Sequence, residues 1–190
     1  MDRICEMVTV VLLMSLLTGC GNTAKDYQEN TLIINRNDSI LEVAVEDFQD
    51  SQVKQEELEA YIKGQIDAYN EKNGKKIRMR SIDAEDLSQV RLVLSYEDMD
   101  SYNGFNEQDC ALEEYANVET GSLKGTYTSP DGTQVNMDEL TEVQNARVLM
   151  VEAAIDIVVK GEILCFNEEI SVKDQIATST GNGTAVIIFK

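Results

Sequence analysis

From Leu149 to Cys165 every odd position is apolar or glycine (Leu149, Val151, Ala153, Ile155, Ile157, Val159, Gly161, Ile163, Cys165), while Glu152, Asp156, Lys160 and Glu162 fall on even ones. A period of two sends successive side chains to opposite faces of a strand, so this stretch demands a sheet with a buried face. An ordinary strand runs roughly 3–10 residues, so the stretch is expected to break or bend, with Gly161 as the place. The run Ala185-Val186-Ile187-Ile188-Phe189 reads as a closing strand. A terminal strand this apolar is paired into a sheet, and truncating it should be costly.

The first half mixes the two periods. Thr31–Asn35 and Ile40–Val45 are β-rich runs flanking the polar turn Arg36-Asn37-Asp38-Ser39, which reads as a hairpin. A helix follows over Val53–Asn73, where Leu58, Tyr61, Ile62, Ile66 and Tyr69 fall three or four apart. Asp50 or Ser51 suits its start, and Lys72 before Gly74 suits its finish. Lys75–Ile82 alternates, with Ile77 and Met79 opposite Arg78 and Arg80, and Val90–Tyr96 is a further strand. Ser95 is the expected cap of a short helix carrying Met99 and Tyr102 and ended by Gly104. Around 111–116 a helical turn is expected, and Ser129-Pro130-Asp131-Gly132 turns a hairpin over 125–135. The expectation is an α+β fold of antiparallel sheets: an α+β lobe over 31–106 with one main helix and a mostly β lobe over 107–190, or one continuous domain.

Residues 7–17 form an apolar run of 11 residues, about half of the roughly 20 that a membrane-crossing helix needs. This is the length of a signal-peptide hydrophobic region. Leu17-Thr18-Gly19-Cys20 at its end resembles the lipobox of bacterial lipoproteins, in which the cysteine sulfur takes a diacylglycerol and the preceding peptide bond is cut. The resemblance implies a signal peptide over 1–19, a lipidated Cys20, a tether over 20–30, and a protein held on the extracytoplasmic face of the cell membrane. The leading segment departs from the usual positive charge, since Asp2 and Glu6 accompany Arg3. Two acyl chains make a stable anchor where one does not. A tether of about ten residues reaches roughly 17 Å as a flexible coil. Without residues 1–19 the chain keeps 33 acidic and 15 basic side chains. That balance argues against nucleic acid as a partner, because phosphate binding runs on cations, and it disfavours lying flat on anionic lipid.

Val45-Glu46-Asp47-Phe48, Glu56-Glu57-Leu58, Ala68-Tyr69-Asn70, the stretch from Ser95-Tyr96 to Phe105-Asn106, Val158–Leu164 and the ending Ile187–Lys190 together resemble a family of uncharacterised lipoproteins of anaerobic Gram-positive bacteria. The resemblance implies the same localisation and one shared architecture. It carries over no catalytic residue.

The chain has no histidine, which removes the usual general base, the commonest metal ligand and every Ser-His or Cys-His nucleophile. Only Cys110 and Cys165 remain beyond Cys20, free to pair or to stay as buried thiols. No catalytic residue, cofactor or metal is expected. Asp83-Ala84-Glu85-Asp86 and Glu97-Asp98-Met99-Asp100 lack the spacing of a calcium loop and read as a solvated face and a helix start. Tyr96, Tyr102 and Phe105 read as core rather than as a sugar platform. Lys75, Lys76, Arg78 and Arg80 put four cations within six residues. They either complement a helix end and guard an edge strand or dock an anionic partner, such as a wall polymer or an envelope protein. The expected role is a non-enzymatic binding or accessory module at the envelope. Its rivals are a hydrolase using paired carboxylates and a small-solute binding protein.

Overall fold

The computed structural model describes residues 26–49, 54–119, 121, 123 and 125–190. The fold is α+β, with two sheets of mainly antiparallel strands and one main helix. The hairpin is present as β1 (Thr31–Ile34) and β2 (Ile40–Glu46). Its turn is closed by the Asn35 amide, which donates to the Ser39 carbonyl and hydroxyl, with Asp38 left-handed at φ 64°. Helix α1 (Gln55–Asn73) leads to β3 (Ile77–Asp83), β4 (Val90–Tyr96) and the short α2 (Met99–Asn106). Then come β5 (Ala111–Glu114), β6 (Tyr127–Thr128), β7 (Arg147–Val151), β8 (Asp156–Val159), β9 (Ile163–Asn167), β10 (Ile170–Lys173), β11 (Ile176–Ser179) and β12 (Ala185–Phe189).

The seven-stranded sheet runs β10-β11-β8-β1-β2-β4-β3 and the five-stranded sheet β5-β7-β12-β9-β6. Strands from both sides of residue 106 share the larger sheet, joined by the parallel pair β1–β8. One core cluster unites Leu32, Ile34 and Ile157 of this sheet with Leu149, Val151 and Ile187 of the other, and with Ile66, Met99 and Tyr102 of the helices. A second cluster, around Val148, Cys165 and Ile188, fills the far face of the five-stranded sheet beneath Tyr115, Tyr127 and Leu140.

The alternating stretch breaks twice rather than once. It supplies β7 to the small sheet, β8 to the large one and β9 to the small one again. Its odd residues Leu149, Val151, Ile157 and Val159 all reach the shared core, but the register slips in β9, where Cys165 turns to the second cluster and Phe166 packs against the first. The even residues Val148 and Val158 are buried as well, because each sheet is also covered on its second face.

Several local expectations are corrected. Asp50 and Ser51 lie outside the described residues, and α1 opens at Lys54 with no side-chain cap. Tyr61 is 65% exposed rather than part of the helix's buried stripe. Ser95 lies within β4, and the cap of α2 is Asp98, whose carboxylate accepts from the Ser101 N–H at 2.8 Å. Gly104 is inside α2, close against the Tyr69 hydroxyl, and the helix ends at Glu107 in the left-handed region. Of the helical turn expected over 111–116, residues 111–114 are instead a strand, because Ala111 and Leu112 pair with Met150 and Leu149, and a 3₁₀ turn follows only at Tyr115–Asn117.

Five strands of the large sheet are in step at one end. Val159, Ile34, Ile40, Tyr96 and Ile77 are successive register partners across β8, β1, β2, β4 and β3, so they form one transverse row.

Candidate functional site

The segment between α1 and β3 is fixed by one side chain. The Asn70 Oδ1 accepts from the N–H groups of Lys76 and Ile77, and its Nδ2 donates to the Ile77 carbonyl at 2.8 Å. Gly74, at φ 84°, makes the turn that this clamp requires. From there β3 runs as an edge strand, with Ile77 buried and Arg78 and Arg80 exposed. The register slips between Met79 and Ser81, so Arg80 sits in a bulge and its Nε donates to the Ser95 hydroxyl. A bulge and outward cations on an edge strand discourage pairing with another chain.

All four basic residues singled out in the sequence, Lys75, Lys76, Arg78 and Arg80, line a single open cavity of about 460 Å³. Asn35, Asn37 and Ser39 of the hairpin turn form its opposite wall, and Ser95 and Leu41 lie in its floor. Lys76 is the one cation already neutralised: its ammonium meets Glu97 at 2.8 Å and Asp98 at 3.1 Å. Hydrogen bonds to Glu97 and then Asp98 raise its pKa above the ordinary lysine value. Partial burial opposes the charged form of Asp98, but the Ser101 hydrogen bonds and Lys76 outweigh it and hold the carboxyl below its usual range. Lys75, Arg78 and Arg80 have no carboxylate partner among the described residues. The cavity therefore presents three cations without a carboxylate partner, beside a Lys76–Glu97–Asp98 group of net charge −1, and several hydroxyl and amide groups, which suits phosphate or carboxylate groups.

The other candidates are absorbed by the fold. Asp86 accepts from the Ser88 N–H and hydroxyl and caps a 3₁₀ turn, which lowers its pKa, while Asp98 caps α2. Among the described residues no group of three or more acids or cysteines is placed to hold a metal ion. Tyr96 and Tyr102 are buried and meet edge to face at 5.3 Å, with Phe105 tilted against Tyr96 at 6.1 Å, so they pack the core. Cys110 and Cys165 are separate buried thiols in different core clusters, each pushed up to about 11 by burial. Cys20 lies outside the described residues.

One acid was not visible in the sequence as a special group. Glu42 faces the inner side of the sheet, where its carboxylate accepts from the Tyr96 hydroxyl and, at 3.4 Å, from the Asn106 amide. Burial raises its pKa despite those bonds. Among the described residues it is the one carboxyl held above its ordinary value, and it does not line the cationic cavity.

Compared with known proteins, the chain matches no family model, no curated protein and no solved structure. Among the described residues no helix is long and apolar enough to cross a membrane.

Proposed function

We propose that the protein is a lipid-anchored, extracytoplasmic lipoprotein, a non-enzymatic binding or accessory module of the cell envelope that docks an anionic partner between β3 and the β1–β2 turn. The observation that carries this reading is the gathering of Lys75, Lys76, Arg78 and Arg80 into one cavity on a chain of net charge −19. Locally reversed charge on an acidic protein attracts an anion to one place while the remaining surface repels it. The apolar run followed by Leu17-Thr18-Gly19-Cys20 supports the anchor, as does the resemblance to uncharacterised lipoproteins of anaerobic Gram-positive bacteria.

The chain enters the fold at the opposite end of the strands. Asn30 accepts from the Asp156 N–H and, through its side chain, from the Val45 N–H, and the Tyr27 carbonyl accepts from Arg91. From Arg91 to Ser95 a strand advances about 13 Å. An anchor at Cys20 therefore joins the fold at the end of the strands away from the cationic cavity and leaves that cavity free for wall polymers or other envelope components.

The anchor is tested by Cys20→Ala, which should release the protein from membranes into the soluble fraction. Retention on washed membranes defeats that half of the proposal. The docking half is tested by capture of native envelope material on the purified protein. Changing Lys75, Lys76, Arg78 and Arg80 together to Glu should abolish capture of the anionic fraction, and undiminished capture rejects the cavity as the site.

A further inference from the structure

The cationic cavity does not stop at the hairpin turn. On the other side of that turn a second cavity of about 880 Å³ shares Asn35 and is lined by Arg36, Arg147, Lys160 and Lys190. Two of these cations are neutralised, Arg147 by Asp38 and Lys190 by Glu162 at 3.1 Å. Arg36 and Lys160 have no carboxylate partner among the described residues. They are joined to each other, the Arg36 Nε donating to the Lys160 carbonyl at 3.0 Å. One acid on the far wall, Glu114, also lacks a cation.

The transverse row explains how these groups line up. Lys160 follows Val159, Arg36 lies two residues past Ile34, and Lys75, Arg78 and Arg80 lie within three residues of Ile77. Four strand spacings of about 4.8 Å separate β8 from β3, so the unneutralised cations extend over about 19 Å. No single small anion spans that distance. The surface between the cations of the first cavity is also largely polar, lined by Asn35, Asn37, Ser39 and Ser95 with Leu41 half-buried among them. Protein interfaces normally need an apolar centre.

Resting on the docking site proposed above, we infer that its ligand is a linear, non-protein polymer bearing repeated phosphate or carboxylate groups, laid across the strand ends from Arg78 and Arg80 over Arg36 to Lys160. One end occupies the cavity beside β3, and the length of the chain is read by Arg36 and Lys160.

Binding of tripolyphosphate and of long-chain polyphosphate to the purified protein tests this at several salt concentrations. The long chain should bind at least tenfold more tightly, a gain of about 1.4 kcal/mol or more. The pair Arg36→Glu and Lys160→Glu should remove that gain and lower the salt slope of long-chain binding by about two, one for each lost contact. It should leave tripolyphosphate binding unchanged. Arg36→Gln with Lys160→Gln should do the same more weakly, and unfolding curves matching the parent exclude a folding defect. Equal binding of short and long chains, or a double variant that keeps the full gain, overturns the extended site while leaving the first cavity standing. If Lys75→Glu, Arg78→Glu and Arg80→Glu together disturb neither probe, the docking site itself is wrong. Polygalacturonate binding more tightly than polyphosphate, with the same dependence on Arg36 and Lys160, supports the polymer and assigns its anion to carboxylate. Polyglutamate binding more tightly than either overturns it in favour of an acidic protein.

Discussion

Strands β12 and β3 both carry buried apolar residues, yet they occupy opposite situations. β12 lies at the centre of the five-stranded sheet, bonded to β7 on one side and β9 on the other, and all five of its residues are buried. β3 has one partner, a bulge, and two arginines directed to water. The first is committed to holding two core clusters together, since Ile187 belongs to one and Ile188 to the other. The second tolerates charge because only one of its faces packs. Stability and recognition thus fall on different strands of the molecule, and each of the following changes tests that division.

The largest effect should follow removal of residues 185–190. It strips both neighbours of their bonds and opens two clusters, and the remaining chain should fail to show a cooperative unfolding transition by circular dichroism. Ile187→Ala is the graded version: a side chain only 1% exposed leaves a cavity, at a cost of about 2–5 kcal/mol by urea unfolding. A loss under 1 kcal/mol would mean that β12 is not the keystone described here.

Next in size is Gly161→Ala. A Cβ at Gly161 would stand 2.3 Å from the Lys190 carbonyl, a backbone oxygen that accepts from the Glu162 N–H at 2.8 Å. That oxygen cannot yield as a flexible side chain would, so about 1–3 kcal/mol should be lost. The same substitution at Gly104 meets only the end of the Tyr69 side chain and should cost less.

Glu42→Gln tests a position between the two extremes, on β2. Burial raises the carboxyl above its ordinary 4.5 in the folded protein. Across that interval the native state binds more protons than the unfolded chain, so stability falls as pH rises through it. Glutamine removes the ionisation while its carbonyl can still accept from the Tyr96 hydroxyl. The urea midpoint should therefore rise at pH 7 and match the parent near pH 4. A lower midpoint at pH 7 would show that the ionised carboxylate stabilises the fold through Tyr96 and Asn106.

These contrasts also mark what was legible in the chain. The hairpin at 31–45, the main helix, β4 and the closing strand follow from local periodicity and turn chemistry, which a sequence displays directly. The double crossing of residues 149–165 between sheets does not, because a period of two is preserved on whichever sheet a strand joins. The helical turn expected at 111–116 survives only as the 3₁₀ turn Tyr115–Asn117, because pairing with β7 overrode local preference at 111–114. At the candidate site, Lys75, Lys76, Arg78 and Arg80 were visible as a run. Arg36 and Lys160 were not, since their proximity depends on the parallel pairing of β1 with β8, 124 residues apart in the chain at this point. Glu42 stayed hidden because the strand pattern could not say that helix α2 would cover its carboxylate.

The smallest effect on the fold should come from β3 itself. Arg78→Ala removes a side chain that is exposed and has no carboxylate partner among the described residues, and its opposite face, Ile77, keeps its packing. Exposed positions of this kind change stability by no more than about 0.5 kcal/mol. The bulge should persist too, because it arises from the slipped register with β4 rather than from the guanidinium. Urea unfolding of Arg78→Ala should therefore overlay the parent, while Ile77→Ala, one residue away on the same strand, should lose about 2–5 kcal/mol. If the two variants instead fall together, Arg78 is structural, and the separation of a stabilising face from a recognising one fails at the strand where it is drawn most sharply.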